Sequence, residues 1–191
     1  MVAIVVPFRG PDAKRRLAPL GDEERAELAL AMLGDVLEAC VAVGETIVVT
    51  ADDTAAELAE ELGARVVADP GGGQGAAVVA ALREGRTLVV NADLPCATPD
   101  DLWRLALAIP PGGLALVEAA DGTTNALGLS SAGLFAPCYG PGSAARFRAL
   151  AESVALDLPN LVRDVDTVQD LERARPAAGR RTQTALAALP R

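Results

Sequence analysis

Three aspartates offer the clearest chemistry. Asp93 follows an apolar run in Asn91-Ala92-Asp93-Leu94-Pro95, and Asp164 and Asp166 stand at i and i+2 in Arg163-Asp164-Val165-Asp166. A carboxylate at the carboxyl end of a central strand is well placed for a hard divalent cation. Alternate carboxylates on extended backbone can face one side and offer that cation two further oxygens. Structural alternatives stand beside both readings: Asp93 as the cap of a turn, and Asp166, followed by Thr167 and Asp170, as a helix start. A second group is cationic. The segment Pro7 to Leu20 carries Arg9, Lys14, Arg15 and Arg16 in a chain of net charge -9, and Lys14 is the single lysine among sixteen arginines. Such donors can clamp a polyphosphate, where the plain alternative is a solvated basic loop.

Two glycine-rich stretches could meet a ligand through their backbone. In Asp69-Pro70-Gly71-Gly72-Gly73-Gln74-Gly75-Ala76, Gly72, Gly73 and Gln74 can pass close to a planar or charged group ahead of a helix N-terminus. Gly71, Gly73 and Ala76 also fit the G-x-G-x-x-G/A spacing of a dinucleotide fingerprint, although that motif normally follows a first strand and any run of three glycines satisfies half of it. Gly140-Pro141-Gly142-Ser143 precedes another helix carrying Arg146 and Arg148 and suits an anion, with Ser143 as a simple N-cap the alternative.

Other chemistries are excluded by what the chain lacks. It has no histidine, and Cys40, Cys96 and Cys138 form no C-x-x-C pair. The usual Cys/His zinc sites and Ser-His-Asp catalysis are therefore ruled out. An acidic chain has no basic face for nucleic acid. The start MVAIVVPFRG has no basic leader and reads as a buried strand, and no apolar run reaches membrane-spanning length. Free thiols in an odd number suit the cytosol.

These residues must be positioned by an α/β scaffold. Short β-branched runs alternate with Ala/Leu-rich segments, the pattern of βαβ units. Strands are expected at Val2 to Val6, Thr46 to Thr50, Arg65 to Ala68 and Thr87 to Asn91. Helices are expected at Asp22 to Val43, Asp52 to Leu62, Ala76 to Arg83 and Thr98 to Ala108. After Pro110 the rhythm changes. Leu114 to Glu118 and Ala126 to Leu129 read as strands joined by Asp121-Gly122, then Ala144 to Ala151 as a helix, Val154 to Leu158 as a strand and Thr167 to Ala174 as a closing helix. Residues 1–174 form one three-layer α/β/α domain with a mostly parallel central sheet, and residues 175–191 read as a weakly patterned tail. In open sheets of this kind ligands bind outside the carboxyl ends of the strands, which is where these loops lie.

The segments VPFRGPDAKRRLAPL, DPGGGQGAA, NADLPCATPDDL, GTTNAL, YGPGSAARF and LDLPNLVRDVDTVQDL resemble, in this order, the CofC-type guanylyltransferases, which make the activated phospho-acid precursor of the deazaflavin coenzyme F(420). The resemblance implies a nucleotidyltransferase fold (GT-A-like, Rossmann-like). It also implies reaction of GTP with phosphoenolpyruvate or 2-phospho-L-lactate, releasing pyrophosphate. On this likeness Lys14 and Arg16 meet the nucleotide, Asp93, Asp164 and Asp166 bind magnesium, and Thr124, Asn125, Gly140 and Ser143 hold the phospho-acid. Two departures stand out: Gly73-Gln74-Gly75 replaces the usual G-L-N, and Arg9 stands where a lysine is usual.

The chemistry suits a chain without histidine, because the attacking phosphate oxygen of the acceptor is already ionised near neutral pH. What is left is electrostatic: a cation held by Asp93 and the Asp164/Asp166 pair, with Lys14 and Arg16 opposite the departing pyrophosphate. The Ala/Arg-rich composition looks bacterial and leans the acceptor toward phosphoenolpyruvate. Rival readings are an NAD(P)-dependent oxidoreductase using the Gly71 to Ala76 stretch and a non-catalytic nucleotide-binding domain. A homodimer is compatible with the sequence but not written in it.

Overall fold

A computed structural model describes residues 2–10, 17 and 20–189. Lys14 and Arg16, the two cations assigned to the nucleotide, lie outside the described residues. The chain runs β1 (Ala3–Pro7), α1 (Asp22–Val41), β2 (Glu45–Thr50), α2 (Asp53–Glu61), β3 (Arg65–Ala68), α3 (Gln74–Ala81), β4 (Thr87–Val90) and α4 (Pro99–Ala108). It continues through β5 (Leu114–Glu118), β6 (Thr124–Leu129), α5 (Ser143–Arg148), β7 (Ser153–Ala155), α6 (Pro159–Val162), α7 (Val168–Ala174) and α8 (Arg180–Ala188).

The seven strands form one sheet in the order β3-β2-β1-β4-β6-β5-β7. Neighbours β3, β2, β1 and β4 are parallel, β6 is antiparallel to both β4 and β5, and β7 is parallel to β5. The reversal of β6 matters for function. Its first residues, Thr124 and Asn125, come to the carboxyl end of β4, and Asn91 N–H donates to the Asn125 carbonyl at 3.0 Å.

Alternation along the strands supplies two cores. Ile4 and Val6 face α1, α2 and α4, with Leu33, Val36, Leu37 and Leu102 packed on them. Val5, Ile47 and Val49 face the opposite way, toward α3 and Phe147 of α5. The result is the three-layer α/β/α arrangement, covered on both faces as its near-continuous apolar strands require. Local chemistry sets the boundaries. Asp52 Oδ1 accepts from Ala55 N–H at 2.8 Å, and Thr98 with Asp101 and Thr167 with Asp170 form capping boxes. Thr167 thus takes the capping role that was open for Asp166. Similarly, Gly142 rather than Ser143 caps α5.

The C-terminal reading needs correction. Residues 180–188, expected as part of a tail, form helix α8 docked on α1, and Leu186 joins Leu28, Met32, Leu171 and Ala178 in a third apolar cluster. The start of α8 has no capping side chain of its own. Instead Asp35, buried within α1, accepts from the N–H groups of Arg181 at 3.0 Å and Thr182 at 2.9 Å. Among the described residues no helix is long and apolar enough to cross a membrane.

Candidate active site

Five segments converge at the carboxyl ends of β1, β3 and β4, as a doubly wound sheet directs them. They enclose a cleft of about 1100 Å³. Its walls include Pro7 to Gly10 after β1, Gly72 to Ala76 at the start of α3, Asn91 to Asp93 after β4, Pro137, Tyr139 and Gly140, and Asp166.

The acidic corner comes first. Asp93, Asp164 and Asp166 are all half-buried, and one carboxylate oxygen from each lies within 4.8 Å of the others. Two features of the backbone bring them there. Val165 N–H donates to the Asp93 carbonyl at 3.0 Å, laying the two loops side by side. The Val165 side chain is fully buried in the third apolar cluster, so Asp164 and Asp166, which flank it, point away from that cluster, and Asp166 lines the cleft. Burial first, and then the Asp93 charge, push the Asp164 carboxyl above the usual carboxylate range, against the lowering effect of the Asn125 amide. Three hard oxygens drawn together against their own repulsion fit a hard divalent cation: in an octahedral shell of radius about 2.1 Å, ligand oxygens stand about 3 to 4 Å apart.

The glycine-rich wall lies opposite. Gly71, Gly72 and Gly73 all take positive φ, and Gly73 caps α3, whose first N–H groups face the cleft. A Cβ at Gly73 would come within 2.8 Å of an Arg9 guanidinium nitrogen, so Arg9 lies directly on this loop and brings a cation to it. A Cβ at Gly75 would meet the Pro137 side chain at 2.5 Å. An asparagine at 75 would therefore collide with Pro137. The adjacent Gln74 turns inward, its Nε2 donating to Asn91 Oδ1 at 2.7 Å.

The expected acceptor residues divide. Gly140 lines the cleft, and Ser143 N–H donates to its carbonyl at 2.9 Å. The Thr124 and Ser143 hydroxyls lie 3.0 Å apart and are buried, each facing the other rather than the cleft. Asn125 differs most from expectation. Its Nδ2 donates to the carbonyls of Leu161 and Val162 at 3.0 and 3.1 Å and to Asp164 Oδ1 at 3.3 Å, so it supports the acidic corner from beneath. Because β6 runs antiparallel, Asn125 is delivered under the loop that carries Asp164, which a reading along the chain could not anticipate.

Two contributors escaped the sequence reading. Tyr139 packs edge-on against Phe147 with ring centroids 5.1 Å apart and forms an aromatic wall of the cleft. Asn91 bridges Gln74 to Asn125. An asparagine at a strand's carboxyl end was the one available signal for it. The thiols take no part: burial pushes Cys40, Cys96 and Cys138 above the ordinary thiol range, the opposite of an activated nucleophile.

An α/β sheet of this order, a glycine-rich helix start facing three clustered carboxylates, and no histidine or activated thiol define a nucleotidyltransferase. The chain belongs to the MobA-like NTP transferase domain family, whose model matches residues 12–181. It is 40% identical over 192 residues to a phosphoenolpyruvate guanylyltransferase of Nocardia farcinica, with 90% of this chain and 84% of that one covered. A phosphoenolpyruvate guanylyltransferase of Streptomyces coelicolor is 42% identical over 187 residues, covering 90% and 88%. The resemblance read from the motifs therefore holds. Among solved structures, a nucleotidyl transferase from Methanothermobacter thermautotroptrophicus superposes with a TM-score of 0.63 at 21% identity, covering 99% of each chain. Glucosyl-3-phosphoglycerate synthase from Mycobacterium tuberculosis, in complex with Mg2+ and uridine-diphosphate, gives 0.56 at 17% identity, covering 81% of this chain and 68% of that one. These two likenesses concern the fold.

Proposed function

We propose that this enzyme transfers GMP from GTP to the phosphate of phosphoenolpyruvate, releasing pyrophosphate, as a cytosolic step toward coenzyme F(420). The observation that carries the reading is the cluster of Asp93, Asp164 and Asp166 facing the glycine-rich start of α3 across one cleft, in a chain about 40% identical to phosphoenolpyruvate guanylyltransferases. The donor set suits Mg2+, which when bound would neutralise phosphate charge between nucleotide and acceptor.

The chain's own groups do the rest. Backbone N–H groups at the start of α3 and the Arg9 guanidinium seat the triphosphate, while Tyr139 and Pro137 shape the wall beside it. Lys14 and Arg16 meet the nucleotide and offset the charge that grows on the departing pyrophosphate. Gly140, with the Thr124 and Ser143 corner behind it, bounds the acceptor's place next to the carboxylates. No residue need remove a proton from the acceptor, since its phosphate oxygen is already anionic.

The test is pyrophosphate release from each of four nucleoside triphosphates, offered with phosphoenolpyruvate or 2-phospho-L-lactate, with and without Mg2+. Release that requires GTP, phosphoenolpyruvate and the cation together is the expected result. Release with no acceptor present, or none under any combination, removes the proposal.

A further inference from the structure

We infer that Asn91 is a positioning residue, the middle of a one-way chain of carboxamides through which Gln74 on the nucleotide side orients the Asp164 carboxylate. The inference rests on the reading above, in which Asp164 helps hold a divalent cation. Four separate segments take part. Gln74 opens α3, Asn91 follows β4, Asn125 lies on β6, and Asp164 precedes α7.

The direction of the chain is fixed from its acidic end. The Asn125 NH2 group faces only acceptors, the carbonyls of Leu161 and Val162 and Asp164 Oδ1. Its oxygen must then face Asn91. Asn91 in turn directs its NH2 group at Asn125 Oδ1, 3.5 Å away, and at the Thr124 carbonyl, 3.3 Å away. That leaves the Asn91 oxygen for Gln74 Nε2 at 2.7 Å. Turning any one amide over would set donor against donor or acceptor against acceptor in a partly buried place, and the cost of such a mismatch rises as water is excluded. The Asn91–Asn125 contact is the longest link, and the shorter bond to the Thr124 carbonyl holds the same NH2 group in place beside it.

The arrangement gives Gln74 a task that its place on the cleft wall does not reveal. It caps the oxygen of Asn91, keeps that amide from turning, and so keeps Asn125 presenting N–H to Asp164. Groups one step behind a metal ligand commonly change metal affinity by about 10- to 100-fold. Groups two and three steps behind, acting through single hydrogen bonds, are expected to change it by about 3- to 10-fold. Because coupling is reciprocal, whatever steadies Gln74 steadies the acidic corner, and the converse holds.

The experiment titrates the full chain with Mn2+ alone, without nucleotide or acceptor, and reads free Mn2+ by electron paramagnetic resonance. Asp164→Asn is expected to abolish tight binding; retention there would overturn the metal reading itself. Given that loss, Gln74→Ala and Asn91→Ala should each weaken Mn2+ by about 3- to 10-fold with the melting temperature little changed, and the double variant should be no weaker than Asn91→Ala. Unchanged affinity in Gln74→Ala overturns the inference while leaving the metal site standing, and so does a double variant whose losses simply add. Should Asn91→Ala fail to fold, Gln74→Ala decides the matter alone, because its side chain ends at the cleft wall.

Discussion

The amide of Val165 donates to the carbonyl of Asp93 at 3.0 Å, so the residue that separates two of the clustered carboxylates is bonded to the residue that carries the third. The acidic corner is therefore held by main chain, and its charges can be altered without dismantling it.

Asp93→Asn keeps that backbone bond and the side-chain volume but removes one charge. Turnover should fall at least about a hundredfold, the loss typical of one preorganised electrostatic group, equal to about 3 kcal/mol of barrier. Steady-state pyrophosphate release, with a melting curve to show that the fold survives, is the check. Near-normal turnover would take Asp93 out of the mechanism.

Asp164 makes a prediction about pH. Burial and the Asp93 charge raise its folded pKa above the unfolded value, so between the two values the folded chain holds more protons and stability falls as pH rises. Above the raised folded value the metal-free enzyme bears that penalty in full. Asp164→Asn should therefore raise the melting temperature of the metal-free protein at pH 7, by about 2 to 4 °C for each kcal/mol of repulsion relieved. The gain should vanish in acid, below the unfolded pKa, where the wild-type carboxyl is also neutral. A lower melting temperature at pH 7 would contradict it.

Gly73 and Gly75 should differ in how they fail. At Gly73, φ is +94° and the Arg9 guanidinium crowds the position, so Gly73→Ala should lose about 1 to 3 kcal/mol and displace the cation from the α3 entrance, weakening GTP binding. Gly75 has no unusual φ but abuts Pro137, so Gly75→Ala should move the Pro137 wall. Urea melts with nucleotide titrations separate the two. A Gly75→Ala protein with wild-type nucleotide affinity would mean that Pro137 does not shape the site.

Asp35 carries the docking of α8. Asp35→Ala leaves the Arg181 and Thr182 N–H groups without their acceptor, at a cost of about 1 to 3 kcal/mol or more. Hydrogen exchange should accelerate across 180–188 while the β1, β2 and β4 amides stay protected. Uniform acceleration over the whole chain would show instead that α8 and the sheet unfold as one unit.

How much of this was legible varies with how local its cause is. The Thr98-Pro99-Asp100-Asp101 start of α4 and the apolar runs of β1, β2 and β4 are set by neighbours in sequence, and they stand within a residue or so of where pattern places them. The same is true of Asp93 beyond the end of β4. Helix α8 was illegible because its two buried residues, Thr182 and Leu186, make a thin stripe and its cap lies on another helix. Asn125 was assigned to the acceptor on the family likeness; its bonds to Leu161, Val162 and Asp164 depend on β6 running against β4, and strand direction leaves no mark in a single segment. Ser143 was read as a cap or an anion contact, yet the hydroxyl it meets, Thr124, comes from a different strand.

The start of α8 is bonded on two sides: Asp35 holds Arg181 and Thr182, and Gly179 N–H donates at 2.8 Å to the carbonyl of Pro95, just beyond Asp93. A pull on the far end of that helix thus reaches α1 through Asp35 and, through the single bond from Gly179 to Pro95, the turn that carries Asp93. Anything bulky fastened there, whether a surface linker or a fused protein, acts as a lever on the clustered carboxylates and is no neutral handle.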